Sequence, residues 1–296
     1  MPRSIDVVDN QQVVVSVIIP VYNCVTTLGA QLQALQGQTS DAPWEVIVVD
    51  NGSTDGTQAL VEKYRATMPN LTTASALEMK NGAFARNRGA AVARGELFLF
   101  CDGDDVVAPG WVSAMSRALR EHDFVVGQIE VATLNADVPE KYGNNGTSDS
   151  LLNFLPYAIG SNMGVTRRAF ESVGGFSTAY LRCMDIEFSW RMQLAGYSLH
   201  EAPQAEVYYR YRDSARAHWK TAFNFSKTHV ALYKRFAAHG AKRIPIRRVL
   251  ARYKDVILSL PQMPKMTQRQ RIGWAFEAGV SLGRLWGSVV YRTLYL

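Results

Sequence analysis

Between Glu96 and Asp105 an apolar run, Leu97-Phe98-Leu99-Phe100-Cys101, gives way abruptly to Asp102-Gly103-Asp104-Asp105. Five apolar residues bounded this sharply read as a strand buried on both faces, and such strands belong to parallel sheets covered by helices. Sheets of that kind bind ligands just beyond the carboxyl ends of their strands. Three carboxylates at that edge, with a glycine that lets the backbone come close, suit a hard cation such as Mg2+ or Mn2+ and a phosphorylated substrate. Asp-Gly-Asp-Asp is also good turn chemistry, so taken alone the stretch supports a plain turn equally well.

Composition narrows the setting. With 47% apolar residues in 296, the chain can bury one large core and carry an appendage, which excludes disordered and collagen-like classes. Cys24, Cys101 and Cys183 form no Cys-x-x-Cys pair, which argues against a disulfide framework or zinc ribbon and fits buried apolar roles in a reducing compartment. Charge is unevenly spread: residues 240–296 carry eleven Lys or Arg against two acids, +9, and the whole chain is +6, which leaves −3 for residues 1–239. The tail therefore points to an anionic surface, and the remainder argues against nucleic acid as a partner. The opening Met-Pro-Arg-Ser-Ile-Asp lacks the apolar stretch of a signal peptide, so a cytoplasmic protein is expected.

Read in order, Val13 to Ile19 is a β-branched run closed by Pro20, a buried strand with Pro20-Val21-Tyr22-Asn23 as the loop at its carboxyl end. A helix with Leu28, Leu32 and Leu35 on one face follows, then a second strand, Trp44 to Val49, ending in Asp50-Asn51-Gly52-Ser53-Thr54-Asp55 before another helix. Strand, helix, strand, helix with polar strand ends predicts a parallel sheet with its ligand at the carboxyl edge. Leu71 to Leu77 reads as a weaker strand, and Asn81 to Gly95 as an alanine-rich helix. Arg86 and Arg88 in it are two apart and cannot share a face, so at most one of them meets the ligand.

Beyond the acids, a helix starting at Pro109 (Trp111, Met115, Leu119) and a strand from Phe124 to Val131 are expected. Residues 133–157 show no period and read as a mobile loop. A short strand at 160–166 and a helical turn at 167–173 precede Gly174-Gly175-Phe176. The helix from Asp185 to Ala195 presents Ile186, Trp190 and Leu194 to a core, with Asp185 at its start as a cap pointing outward.

Three of these segments, in this order and spacing, carry a resemblance. Ser16 to Asn23, Val48 to Thr57, and Ala85-Arg86-Asn87-Arg88-Gly89 with Gly95-Glu96 and Asp102-Gly103-Asp104 resemble family 2 inverting glycosyltransferases of the GT-A fold. The likeness continues through Gly174-Gly175-Phe176 and Asp185 to Arg191, covering roughly residues 13–212. It implies an α/β fold, a Rossmann-like, mixed but mainly parallel sheet flanked by helices, and sugar transfer from a UDP-, GDP- or dTDP-linked donor to a glycan or lipid-linked hydroxyl. Asp102-Gly103-Asp104 matches the family's Asp-x-Asp motif, so Asp104 is the expected ligand of Mn2+ or Mg2+, with Asp102 nearer the ribose or a metal-bound water. Pro20, Tyr22 and Asp50 match positions lining the nucleoside pocket; Asn51 stands where many relatives carry a second aspartate, leaving the base open. Arg86 matches a donor-contacting arginine and Asp185 the general base. Met184 replaces the glutamate that usually precedes that base. A histidine that some relatives place in the following strand gives way to Tyr208, Tyr209 and Arg210, and the Gln-x-x-Arg-Trp motif of processive members is absent, so addition of one or a few sugars is implied.

The expected organisation is an amino-terminal tail at 1–12, a nucleotide-sugar half at 13–105, an acceptor half at 106–214 and a basic helical extension at 215–296. In the extension, Ile246, Val249, Leu250, Tyr253, Val256, Ile257 and Leu260 form an apolar stripe bordered by Arg247, Arg248, Arg252 and Lys254. Residues 272–291 are mostly apolar, but Glu277, Ser281, Arg284 and Ser288 share one face, and a spanning helix would bear two charges near its centre. Ala275, Gly279, Gly283 and Gly287, four apart, would let another helix approach closely. Peripheral attachment to an anionic membrane, packing on the catalytic domain and a homodimer all fit this pattern. A nucleotide-sugar-binding scaffold subunit and a nucleotidyltransferase are the rival functional readings.

Overall fold

A computed structural model of the protein describes residues 13–135, 147–148, 151–211 and 214–295. Residues 1–12, read above as a tail, and 136–146 of the expected loop lie outside the described residues.

The first half alternates as the sequence pattern predicts: β1 (Val15–Val21), α1 (Leu28–Gln36), β2 (Trp44–Asp50), α2 (Thr57–Arg65), β3 (Leu71–Ser75), α3 (Gly82–Val92) and β4 (Leu97–Cys101). There follow β5 (Val106–Val107), α4 (Trp111–Glu121), β6 (Phe124–Glu130), β7 (Thr147–Ser148), β8 (Tyr157–Ala158), β9 (Asn162–Thr166), α5 (Arg167–Ser172), α6 (Met184–Leu194) and β10 (His200–Tyr208). Eight strands make one sheet in the order β3-β2-β1-β4-β9-β6-β10-β5. β3, β2, β1 and β4 are mutually parallel, β9 runs antiparallel between β4 and β6, and β10 lies parallel to β6.

Alternation along each strand feeds two cores. From β1, Val15, Val17, Ile19 and Val21 pack with α1 and α4, while Ile18 joins Val49, Phe98 and Phe100 under α3, α5 and α6. Each fully buried side chain of this size contributes about 1.5–3 kcal/mol, which is why the sheet's centre reads as unbroken apolar runs. Gly89 sets how closely α3 approaches the sheet, since a Cβ there would lie 2.4 Å from Ile18 Cγ2.

Several boundaries differ from the sequence reading. β1 runs through Pro20, which stands opposite Val49, so the loop begins at Tyr22; the β4 pairing has ended by then and the missing N–H costs no ladder bond. β3 stops at Ser75, as befits an edge strand. The segment expected to be a loop contains the β7–β8 ribbon and a single 3-10 turn that buries Leu152, features too short to leave a period. In α6, Ile186 and Trp190 are buried as expected but Leu194 is 44% exposed. The cap position of α6 belongs to Cys183, in the left-handed region at φ +57°, and Asp185 lies inside the first turn.

The chain ends in α7 (Ala215–Phe236), α8 (Ile246–Leu258) and α9 (Gln268–Val290), the last opened by a Thr267–Gln270 capping box. The glycine stripe of α9 is filled by α7 of the same chain: Cβ atoms on Gly279, Gly283 and Gly287 would meet the carbonyl oxygens of Trp219, Phe223 and Lys227 at 2.6, 2.3 and 2.8 Å. Of the α8 stripe, Val249 alone is buried.

Candidate active site

The acidic loop leaves β4 at the sheet's carboxyl edge and is held from three sides. Gln31, wholly buried on α1, donates to the Asp102 carbonyl (3.1 Å) and accepts from the Val107 amide (2.9 Å). Thr27 Oγ1 donates to the Gly103 carbonyl at 3.2 Å. Gly103 sits so close to β1 that a Cβ would lie 3.0 Å from Val21 Cγ1. Just beyond β10, which pairs with β5 after the loop, the Arg210 amide donates to Asp105 Oδ1 (2.9 Å) and Arg210 Nε to the Asp104 carbonyl (3.0 Å).

Asp102, Asp104 and Asp105 each bring a carboxylate oxygen within 4.8 Å of the other two. The three differ in setting: Asp104 is exposed, Asp102 is intermediate and Asp105 is buried. Burial, then the charges of Asp102 and Asp104, push the Asp105 carboxyl well above the usual carboxylate range. Burial, then the charges of the same cluster, raise the phenol of Tyr209. Asp105 Oδ2 is buried, and the Arg210 amide and the Ser161 hydroxyl pull the other way on this carboxyl. Hard oxygen donors from neighbouring carboxylates, Asp104 and Asp102 foremost, fit a divalent cation such as Mn2+ or Mg2+, which also relieves the mutual repulsion.

Arg86 faces this cluster. Capping of α3 by Asn81, whose side chain accepts from the amides of Ala83 and Phe84, fixes the helix so that Arg86 lies 6% exposed while Arg88 points to solvent. Arg86 Nη2 pairs with Asp102 Oδ1 and lies 3.4 Å from the Gly160 carbonyl. The Gly160 amide in turn donates to Asp185 Oδ2 at 3.0 Å, and Asp185 Oδ1 accepts from the Ile186 amide at 3.0 Å. The antiparallel register of β4 and β9, with Cys101 opposite Asn162, delivers Gly160 to this point. Burial raises the Asp185 carboxyl above its ordinary range even though part of it reaches solvent, against the Gly160 hydrogen bond and the Arg86 charge, which pull it down. A carboxylate so tuned, and partly open to solvent, is suited to accepting a proton.

On the opposite side of the acidic loop, Asp50 ends β2 with Oδ1 accepting from the Ser53 amide (3.0 Å) and Oδ2 from Gln58. Tyr22 is 48% exposed just after β1, with Lys80 Nζ 5.1 Å from its ring centre. Pro20 lies half-buried two residues before it. Asn51 is turned inward: its side-chain amide donates to the carbonyls of Ala76 and Met79. Met184 packs over the start of α3, its Cε 3.6 Å from where a Gly82 Cβ would stand.

Sequence reading passed over Gln31, Asn87 and Gly160. Asn87, between the two arginines, accepts from the Phe176 amide (2.9 Å) and donates to the Phe176 carbonyl (2.8 Å), tying Gly174-Gly175-Phe176 to α3. A polar residue on an otherwise apolar helical face was the available signal for Gln31 and Asn87; Gly160 acts through its backbone and carried none.

The family described as Glycosyl transferase family 2 matches residues 16–174, more than half of the chain. The chain belongs to glycosyl transferase family 2. Among curated relatives of the family it is 31% identical to glycosyltransferase AglE of Haloferax volcanii over 191 residues, 62% of this chain and 63% of that protein. It is 24% identical to the uncharacterized glycosyltransferase YwdF of Bacillus subtilis over 89% of this chain and 96% of that one. The match thus spans less than two thirds of the length of AglE. Solved structures agree in fold: the mannosyltransferase PcManGT of Pyrobaculum calidifontis, in complex with GDP-Man and Mn2+, superposes with TM-score 0.61 at 21% identity over 92% of this chain and 87% of its own. S. aureus TarS in complex with UDP-GlcNAc gives 0.54 at 18% identity over 96% and 93%. This family 2 chain therefore has the GT-A fold, a mixed, mainly parallel sheet flanked by helices.

Proposed function

We propose that the protein is a metal-dependent inverting glycosyltransferase that moves a sugar from a nucleoside-diphosphate sugar to a hydroxyl acceptor. The observation that carries this reading is the unbroken line of contacts from Asp102 through Arg86 and Gly160 to Asp185, which joins a cation-suited cluster to a carboxylate poised as a base.

Asp104 and Asp102 would hold Mn2+ or Mg2+, with Asp105 buried beneath them keeping Arg210 and the loop in place. When bound, the cation supplies charge neutralisation for the departing nucleoside diphosphate. Pro20, Tyr22 and Asp50 would line the nucleoside pocket, with Asn51 bracing its floor through its bonds to the Ala76 and Met79 carbonyls, and Gly103 would let the backbone approach the donor. Arg86 would orient the diphosphate. Asp185 would take the acceptor hydroxyl's proton as that oxygen bonds to the anomeric carbon and the bond to the diphosphate breaks on the opposite side. One carboxylate at the acceptor side and direct displacement give inversion without a covalent intermediate.

In this reading residues 13–105 serve the donor, 106–214 the acceptor and 215–296 form a basic extension. The acceptor would be a glycan or lipid-linked alcohol in bacterial cell-surface glycan assembly, extended by one or a few sugars. The enzyme would work in the cytoplasm at the inner face of an anionic membrane; use of the C-terminal helices for a homodimer is the competing arrangement. Among the described residues no helix is long and apolar enough to cross a membrane.

A thermal-shift panel of UDP, GDP and dTDP and their sugars, with and without Mn2+, tests the site. Stabilisation by one nucleotide that requires metal is expected, followed by turnover with inverted anomeric configuration. Metal-independent stabilisation would count against the cluster. Tight donor binding with no turnover would favour a scaffold subunit, the reading that Met184 motivates, and pyrophosphate release from a sugar phosphate would indicate a nucleotidyltransferase.

A further inference from the structure

Helix α9 is built inside out. Ser281 and Arg284, on its polar line, are 3% and 6% exposed, whereas Leu282, Leu285, Trp286, Val289 and Val290 range from 38% to 69%. The cause lies in its two neighbours. α7 takes the glycine face, as described above, and α8 covers the first half of the polar line: Tyr253 Oη donates to the Ser281 carbonyl (2.9 Å), Trp274 Nε1 to the Val256 carbonyl (3.1 Å), and Arg252 pairs with Glu277 (2.8 Å). What remains outside is the apolar face of the second half of α9. α8 adds Ile246, Leu250 and Ile257, which recur on one helical face and are each more than half exposed.

Single exposed apolar residues are ordinary on a protein surface; a face running along two helices marks an interaction site. Charge identifies what fits it. Of the eleven Lys and Arg in 240–296, nine are exposed, while the two acids there are Asp255 and Glu277, the latter paired with Arg252. An apolar strip carrying a tryptophan and rimmed by cations, on helices unable to span, matches a helix pair lying in the plane of an anionic bilayer.

We infer that α8 and the second half of α9 form a docking surface for anionic lipid, with Trp286, Leu285 and Val289 entering the boundary between headgroups and acyl chains and the surrounding cations meeting headgroup phosphates. The inference rests on the proposed function only for the membrane location, and its readout is independent of turnover.

Flotation of the full chain with vesicles tests it, comparing phosphatidylcholine alone with phosphatidylglycerol and phosphatidylcholine mixed about 3:7, at about 0.15 M salt. Partition onto the anionic vesicles should exceed that onto neutral ones about tenfold, and the double variant Trp286→Ser, Val289→Ser should lose about tenfold. Both substituted side chains are exposed, so melting temperature and donor-induced stabilisation should be unchanged in the variant. Equal partition onto both vesicle types, or wild-type partition by the variant, overturns the inference. So does a dimer that the double variant converts to a monomer without any vesicle binding, which would assign the face to a second copy of the chain. Lipid binding without any donor-induced stabilisation would uphold the docking surface while removing support for the catalytic reading; the reverse pattern would do the opposite.

Discussion

Arg86 pairs with Asp102 through the same Nη2 that faces the Gly160 carbonyl, and the Gly160 peptide carries that contact on to Asp185. One guanidinium thus orients both a carboxylate of the acidic cluster and the loop that positions the candidate base. Arg86→Ala should lower kcat/KM about 10²–10³-fold, the usual cost of removing a charged donor from a reacting diphosphate. Arg86→Lys keeps the charge but not the planar fork and should recover only part of that loss. Stability should fall by about 1–3 kcal/mol, moderated because the Asp102 side chain is a third exposed and water takes up part of the deficit. Initial rates with varied donor, together with urea denaturation, check both effects.

Asp185 should trade stability for activity. Its folded pKa is raised by burial, so the native state holds this proton more tightly than the unfolded chain does. The stabilising contribution is then full below the unfolded value and is lost as pH rises through the folded one. At neutral pH the ionised carboxylate is a cost, and Asp185→Asn should melt at a higher temperature than the wild type, the gap closing as pH falls into the carboxylate range. The same substitution should cut kcat about 10²–10⁴-fold. In the wild type the acidic limb of kcat/KM should fall above the ordinary carboxylate range. Thermal melts and rate profiles across pH measure these effects; an Asn variant with unchanged turnover would remove Asp185 from the mechanism.

Packing of the extension depends on backbone contact. A Cβ on Gly283 would stand 2.3 Å from the Phe223 carbonyl oxygen, an atom fixed in helix α7 that cannot rotate aside. Gly283→Ala should therefore destabilise the protein by about 1–3 kcal/mol. Gly273, on the same helix with nothing within 4 Å of its would-be Cβ, is the control, and Gly273→Ala should be neutral or stabilise by up to about 1 kcal/mol. Denaturant midpoints for the two variants give the comparison.

Most of the sheet was legible because β1, β2 and β4 are buried on both faces, and their β-branched or aromatic runs have no alternative explanation at that length. Helical period puts Arg86 and Arg88 on different faces, and the family resemblance picks out Arg86. Less legible was anything that depends on long-range backbone contact. Gly160 reaches Asp185 through its amide, so no side chain announced it. Asn51 is singled out by the family resemblance, as the residue standing where many relatives carry a second aspartate; that its amide serves the carbonyls of Ala76 and Met79 is a long-range contact that spacing does not reveal. The glycines of α9 were recognised as a helix-docking stripe, but sequence spacing does not say whether the docked helix belongs to the same chain; contact with α7 answers that for Gly279, Gly283 and Gly287.

His229 should make the extension acid-sensitive. It lies on α7 with Nδ1 lacking a hydrogen-bond partner and Arg284 of the facing helix nearby. The residue is partly exposed, yet enclosure by the helices, and then the Arg284 charge, lower its pKa from 6.5 to about 3. With the folded value below the unfolded one, protons favour the unfolded chain: the contribution of neutral His229 is complete above the unfolded value and is lost as pH falls through it towards the folded one. At pH 5 the loss is about 2 kcal/mol, from roughly 1.5 pH units at about 1.4 kcal/mol each. His229→Gln, which keeps a polar group but does not titrate, should be less stable than or equal to the wild type at neutral pH and should lose less stability between pH 7 and pH 5. Urea midpoints at the two pH values decide it: an identical acid slope in wild type and variant would assign the sensitivity to another group.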